Sequence, residues 1–145
     1  MRLARDTLPT ESTAAPSELA ELLLLEADRE LRLEALLLRM IRAFGPEDRR
    51  RLRRMARDVR DHARGLRRHA GLHEPMPRGA TPLGVLGPRR AYGEARQLAG
   101  ALVEELDRLA ERLHRAEALE GALYTQICAR SVGEVLSALE HRLRD

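Results

Sequence analysis

Between Leu19 and Phe44 apolar residues recur every three or four positions, the period of an amphipathic helix rather than the alternation of a strand. Taking about 100° per residue and setting Glu26 at zero, Leu19, Leu22, Leu23, Glu30, Leu33, Leu37, Met40, Ile41 and Phe44 all fall within about 60° of it. The pattern predicts a first helix from Ser17, which can cap the early N–H groups, to about Phe44, with Glu18 and Glu21 near its positive end. Gly45 and Pro46 end it, glycine accepting a left-handed cap and proline suiting the first turn of the next helix. That second helix is expected over about 46–70, with Leu52, Met55, Val59, Leu66 and Ala70 inward and His62 near the edge.

Residues 71–88 hold Gly71, Gly79, Gly84 and Gly87 with Pro75, Pro77, Pro82 and Pro88, a composition that excludes regular structure. Extended, such a linker reaches about 60 Å, against roughly 37 Å for the second helix, so it is long enough to cross a whole bundle. Helical pattern resumes near Arg89 and is expected to persist to about Ala129, with Gly93 and Gly100 as weak points. Ser131 then opens a short last helix with Val132, Val135, Leu136, Leu139 and Leu143 inward. The prediction is an all-α four-helix bundle over 17–145, joined short, long, short, behind a mobile tail of residues 1–16.

Two helices carry carboxylates where leucine belongs. Glu26 and Glu30 interrupt the first apolar face, and Glu117 and Glu120 group with Leu98, Ala99, Leu102, Leu106, Leu109, Ala110, Leu113, Tyr124, Ile127 and Cys128 on the second. A carboxylate projecting into a core needs a cation, a proton or a donor to offset its desolvation. Hard metal ions are one answer; pairing with Arg29, Arg60 or Arg115, or escape to a wet rim, is the other.

The runs LAELLLLEADRE (19–30) and RAEALEGALY (115–124), together with the long second connection, resemble the ferritin-like superfamily and its small rubrerythrin-related bacterial members. That resemblance implies a ferritin-like four-helix bundle holding iron or manganese, with a glutamate from helices one and three and a Glu-x-x-His pair from helices two and four. Here Val59 stands where the glutamate partner of His62 belongs, with Asp58 as a substitute one residue away, and Ala138 stands before His141. The expected metal set is therefore reduced to Glu26, Glu30, Asp58, His62, Glu117 and Glu120, with no catalytic residue assigned. Two bound irons would imply oxygen or peroxide chemistry, and a metal-free helical scaffold is the alternative. His69, His73 and His114 fit no compact ligand set and are expected in solvent or loops.

Composition narrows the rest. Hydrophobic residues make up 43% of the 145 but aromatics only 2%, so the core must be built from Leu, Ala, Val and Met. A lone cysteine, Cys128, forms no internal disulfide and reads as a buried thiol in a cytoplasmic protein. No run approaches the roughly 18 apolar residues of a membrane span. All 26 basic residues are arginine, and the net charge is +3. Ten arginines between Arg49 and Arg68 form a ridge able to contact an acidic partner or nucleic acid, but it lacks the interleaved aromatics of single-strand binders and reads first as ordinary solvated surface. Leu24, Leu31 and Leu38, seven apart on a second stripe of the first helix, suggest either pairing into a homodimer or packing against a neighbouring helix of the same bundle.

Overall fold

The computed structural model describes residues 17–141, so the tail at 1–16 and Leu143 lie outside the described residues. Four α-helices occupy most of that span: α1 Ser17–Met40, α2 Pro46–His69, α3 Pro88–Arg115 and α4 Leu119–His141, with a 3-10 turn at Ile41–Ala43. The chain is an all-α four-helix bundle. Among the described residues no helix is long and apolar enough to cross a membrane.

Cross-helix contacts set the directions. Glu18–Arg112, Arg29–Glu105 and Arg32–Glu94 join α1 to α3 at 3.0–3.4 Å in descending order, so those helices are antiparallel. Glu30–His62 and Glu34–Arg60 give α1 and α2 the same relation. The Tyr92 hydroxyl donates to the Leu139 carbonyl, and Gly121 lies against Leu113, which makes α3 and α4 antiparallel. It follows that α2 and α3 run in the same direction. Residues 70–87, without helix or strand, join them. Arg60 donates to the Pro77 carbonyl and Arg39 to those of Gly84 and Leu86, while Met76, Leu83 and Leu86 pack on the core.

The core is leucine and alanine. Leu23, Leu33, Leu36, Leu37, Leu52, Leu66, Leu102, Leu106, Leu113 and Leu139 are fully buried, each contributing about 1.5–3 kcal/mol of apolar transfer free energy. Ala91, Ala95 and Ala99 line the buried face of α3 and let neighbouring backbones approach closely. Leu31, expected on an intermolecular stripe, is only 7% exposed and belongs to this core, so Leu24, Leu31 and Leu38 form no continuous outer row.

Two helix ends differ from expectation. Gly45 is extended (φ −78°, ψ 179°), not left-handed, and acts as the residue before Pro46 at the start of α2. The larger difference is at α3. It ends at Arg115, and α4 runs unbroken through Ser131, so the expected break near residue 130 lies instead at 116–118. Gly93 and Gly100 are both internal to α3. The turn is a Schellman cap: the Ala118 N–H donates to the Leu113 carbonyl and the Glu117 N–H to that of His114. Gly71 closes α2 in the same way at φ 88°, but at the equivalent place after α3 the residue is Glu117, at φ 65°. A left-handed non-glycine costs roughly 1–2 kcal/mol. Here the cap bonds and the buried Leu113 and Ala118 side chains hold it.

Candidate metal centre

The inner face of α1 carries Glu26, Glu30 and Glu34, four residues apart and all buried. Each meets a different neighbour. Glu34 pairs with the Arg60 guanidinium at 3.2 Å; burial raises its carboxyl and Arg60 pulls it back down. Glu26 approaches the Glu105 carboxyl of α3. Burial first, then the neighbouring Glu105 carboxylate, push Glu26 up to about 8, with Arg29 acting in the opposite sense. Arg29 Nε stands 3.0 Å from Glu105 Oε1, so a guanidinium supplies the positive charge of this layer.

One turn further along α1 lies the more telling group. Glu30 is 0% exposed, and its Oε1 stands 3.4 Å from His62 Nδ1 of α2 without the alignment of a hydrogen bond. Donor atoms of Glu30, His62 and Cys128, from three helices, lie within 4.8 Å of one another. Burial raises the Glu30 carboxyl, and His62 lowers it. Burial and the adjacent Glu30 push the Cys128 thiol well up, with the nearby Tyr124 hydroxyl acting in the opposite sense.

Both Glu30 oxygens, His62 Nδ1, Glu26 Oε1 and Thr125 Oγ1 are buried with no hydrogen-bond partner, while Arg29 Nε and Glu105 Oε1 meet each other as an ion pair without hydrogen-bond alignment. These atoms are not scattered. Glu26 precedes Glu30 by one turn, Thr125 precedes Cys128 by one turn, and Glu105 faces Arg29. Each buried polar atom left unpaired costs about 1–3 kcal/mol, and native proteins keep few of them. An ion between Glu30, His62 and Cys128 would satisfy the most expensive ones.

The donor set decides which ion fits. One carboxylate oxygen, one imidazole nitrogen and one thiolate sulfur suit the late first-row divalent ions, zinc and cobalt above all, with iron behind and manganese least. A two-ion centre does not fit. Among the described residues this is the one cluster of three such donors, and the neighbouring layer already holds Arg29.

Of the six residues expected as ligands, the structure brings together Glu30 and His62, with Glu26 in the next layer. The other three are placed elsewhere. Asp58 is exposed on the outer side of α2, Glu117 is exposed in the α3–α4 turn, and Glu120 is exposed in the first turn of α4. Cys128, Glu34, Glu105 and Thr125 are the participants the residue pattern did not single out as ligands or pairs. Cys128 lay on the apolar stripe, and Glu34 sits about 80° from Glu26, just outside the window that defined the inner face.

Tyr124 closes the α2–α4 side of the cluster. Its ring lies directly over Gly65, where any Cβ would overlap it, its hydroxyl donates to the Asp61 carbonyl at 3.2 Å, and His69 stacks on it at 5.1 Å between centroids. His114 and His141 are exposed, and His73 lines a cavity of about 220 Å³ with Arg64, Arg67 and Arg68. The arginine ridge of α2 is partly occupied: Arg51 faces Asp48, Arg64 pairs with Asp61, Arg49 donates to the Phe44 carbonyl, and Arg60 turns inward to Glu34. Comparison with known proteins found no match to a family model, to a curated protein sequence or to a solved structure.

Proposed function

We propose that this chain is a metal-binding helical bundle that holds a single late first-row divalent ion between Glu30, His62 and Cys128. The observation that carries the reading is the coincidence of the compact Glu–His–Cys group with the buried unpaired oxygens of Glu30. Each residue has a defined part. Glu30 supplies the anionic oxygen, His62 a ring nitrogen, and Cys128 a thiolate once the ion has displaced its proton. Because burial raises both Glu30 and Cys128, binding releases protons and weakens as pH falls.

Retention of an ion is better supported than turnover. Glu30 and Cys128 are fully buried and His62 nearly so, and the cavities of about 220, 500 and 680 Å³ are lined by other residues. The antiparallel α1–α2 and α3–α4 pairs, with α2 and α3 parallel, support a ferritin-like ancestry in which a two-ion site has given way to one. A thiolate ligand also requires a reducing compartment, which favours the cytoplasm. The alternative is a metal-free scaffold, favoured by the raised carboxyl of Glu30, which when protonated needs no cation.

Titration with cobalt separates the two. Full-length protein should take up about one equivalent and show a sulfur-to-cobalt charge-transfer band; Cys128→Ser should abolish the band, and Glu30→Gln should weaken uptake by at least about tenfold. No uptake, or uptake indifferent to both substitutions, leaves the metal-free scaffold.

A further inference from the structure

The outer face of α4 carries the one row of exposed large apolar side chains among the described residues. Leu119, Leu123 and Ile127, at successive four-residue steps, are 55%, 60% and 50% exposed. The other exposed large apolar residues, Leu25, Leu38 and Val85, stand apart from one another. Rows of this kind are uncommon on an isolated surface and normally have a partner.

We infer that this face of α4 is covered by the same face of a second copy of the chain, the two α4 helices running antiparallel about a two-fold axis level with position 125, between Leu123 and Ile127. The charges around the row select this occupant. Glu120 and Arg130 are exposed on the same side of α4, ten residues apart and symmetric about position 125. Antiparallel pairing centred there places Glu120 of each copy opposite Arg130 of the other, twice by symmetry, and sets Leu123 against Ile127 of the second copy. Parallel pairing would instead bring like charges face to face, which costs stability.

The flank is compatible as well. Beside the row, a groove of about 680 Å³ is lined by Asp107, Arg108, Glu111, His114, Arg115 and Gln126, two acids against two arginines and a histidine. An identical copy approaching it meets no excess of its own charge. The arginine-rich α2 offers the opposite, a surface that repels its copy. The assembly assigned here is independent of metal binding, since none of its residues belongs to the Glu30, His62 and Cys128 group.

Sedimentation equilibrium on the full chain, with and without a charge swap, tests the arrangement. The unmodified chain should dimerise. Glu120→Arg and Arg130→Glu should each weaken the dimer by roughly tenfold, and the double variant should recover it to within about threefold. Leu123→Glu should give a monomer with unchanged helical circular dichroism and melting temperature, because that side chain is solvent-facing in the bundle. A chain that stays monomeric at high concentration, a dimer that survives Leu123→Glu, or a double swap that fails to recover would overturn the antiparallel pairing.

Discussion

Glu26 owes its unusual carboxyl to three neighbours at once: the apolar packing of α1, Glu105 across the α1–α3 seam, and Glu30 one turn on, against which Arg29 pulls the other way. Its ordinary value is 4.5 and its value in the bundle about 8, so the folded protein holds the proton more tightly than the unfolded chain. The associated stability is complete below about pH 4.5 and is lost as pH rises through 8, at no more than about 1.4 kcal/mol per pH unit. Glu26→Gln keeps the shape without the titration. Its melting temperature should vary less across that window and exceed that of the unmodified protein above about pH 8. Equal slopes in the two proteins would show that Glu26 is ionised throughout.

Helical phase was enough to find Glu26, Glu30 and His62, because α1 and α2 are regular over the positions concerned. It failed for Glu117 and Glu120 because phase counting assumes an unbroken helix, and residues 116–118 interrupt it. Cys128 was legible as buried, but its place beside Glu30 and His62 depends on α4 lying diagonally across the core from α1 and against α2 and α3, which no local spacing encodes.

Among the elements, helix ends differ in how openly they are written. Gly45–Pro46 announces the α1–α2 turn, and Gly71 announces the end of α2. The α3–α4 turn contains neither glycine nor proline, and Glu117 adopts φ 65° because Leu113 and Ala118 must both reach the core. Tertiary burial outweighs a local preference of about 1 kcal/mol. The α2–α4 seam makes a sharper case. Gly65 in mid-helix forfeits about 1 kcal/mol relative to alanine, and the vacancy is filled by the Tyr124 ring. Gly65→Ala should therefore destabilise the protein by about 1–3 kcal/mol. In a Tyr124→Ala background the same change should become stabilising by up to about 1 kcal/mol. Denaturant unfolding of the four proteins in this cycle measures both signs, and a stabilising Gly65→Ala in the unmodified chain would place the ring elsewhere.

For the whole molecule, the parallel course of α2 and α3 puts a lower limit on the segment between them. With α2 about 36 Å long, roughly 11 extended residues are the least that can return the chain to the start of α3. Residues 70–87 exceed that minimum, so lengthening them should cost only about 0.6 kcal/mol per doubling. Shortening the segment to about six residues should abolish the native bundle, seen as loss of the cooperative thermal transition. A shortened chain that melts as the full-length protein does would disprove the parallel course. The helix count and the apolar faces of α1 and α2 could be read from residue periodicity, whereas the relative directions emerged only from side-chain partners such as Arg29–Glu105 and Tyr92–Leu139.

Those directions also order events in time. Within the first hairpin Arg60 and Glu34 are 26 residues apart, whereas Arg32 and Glu94, which join the hairpins, are 62 apart. Closing the shorter loops costs less entropy, so each hairpin forms on its own contacts and the α1–α3 seam is sealed late. Weakening that seam should consequently accelerate unfolding more than it slows refolding, read from the two arms of a denaturant chevron, and an equal slowing of refolding would place the seam in the transition state.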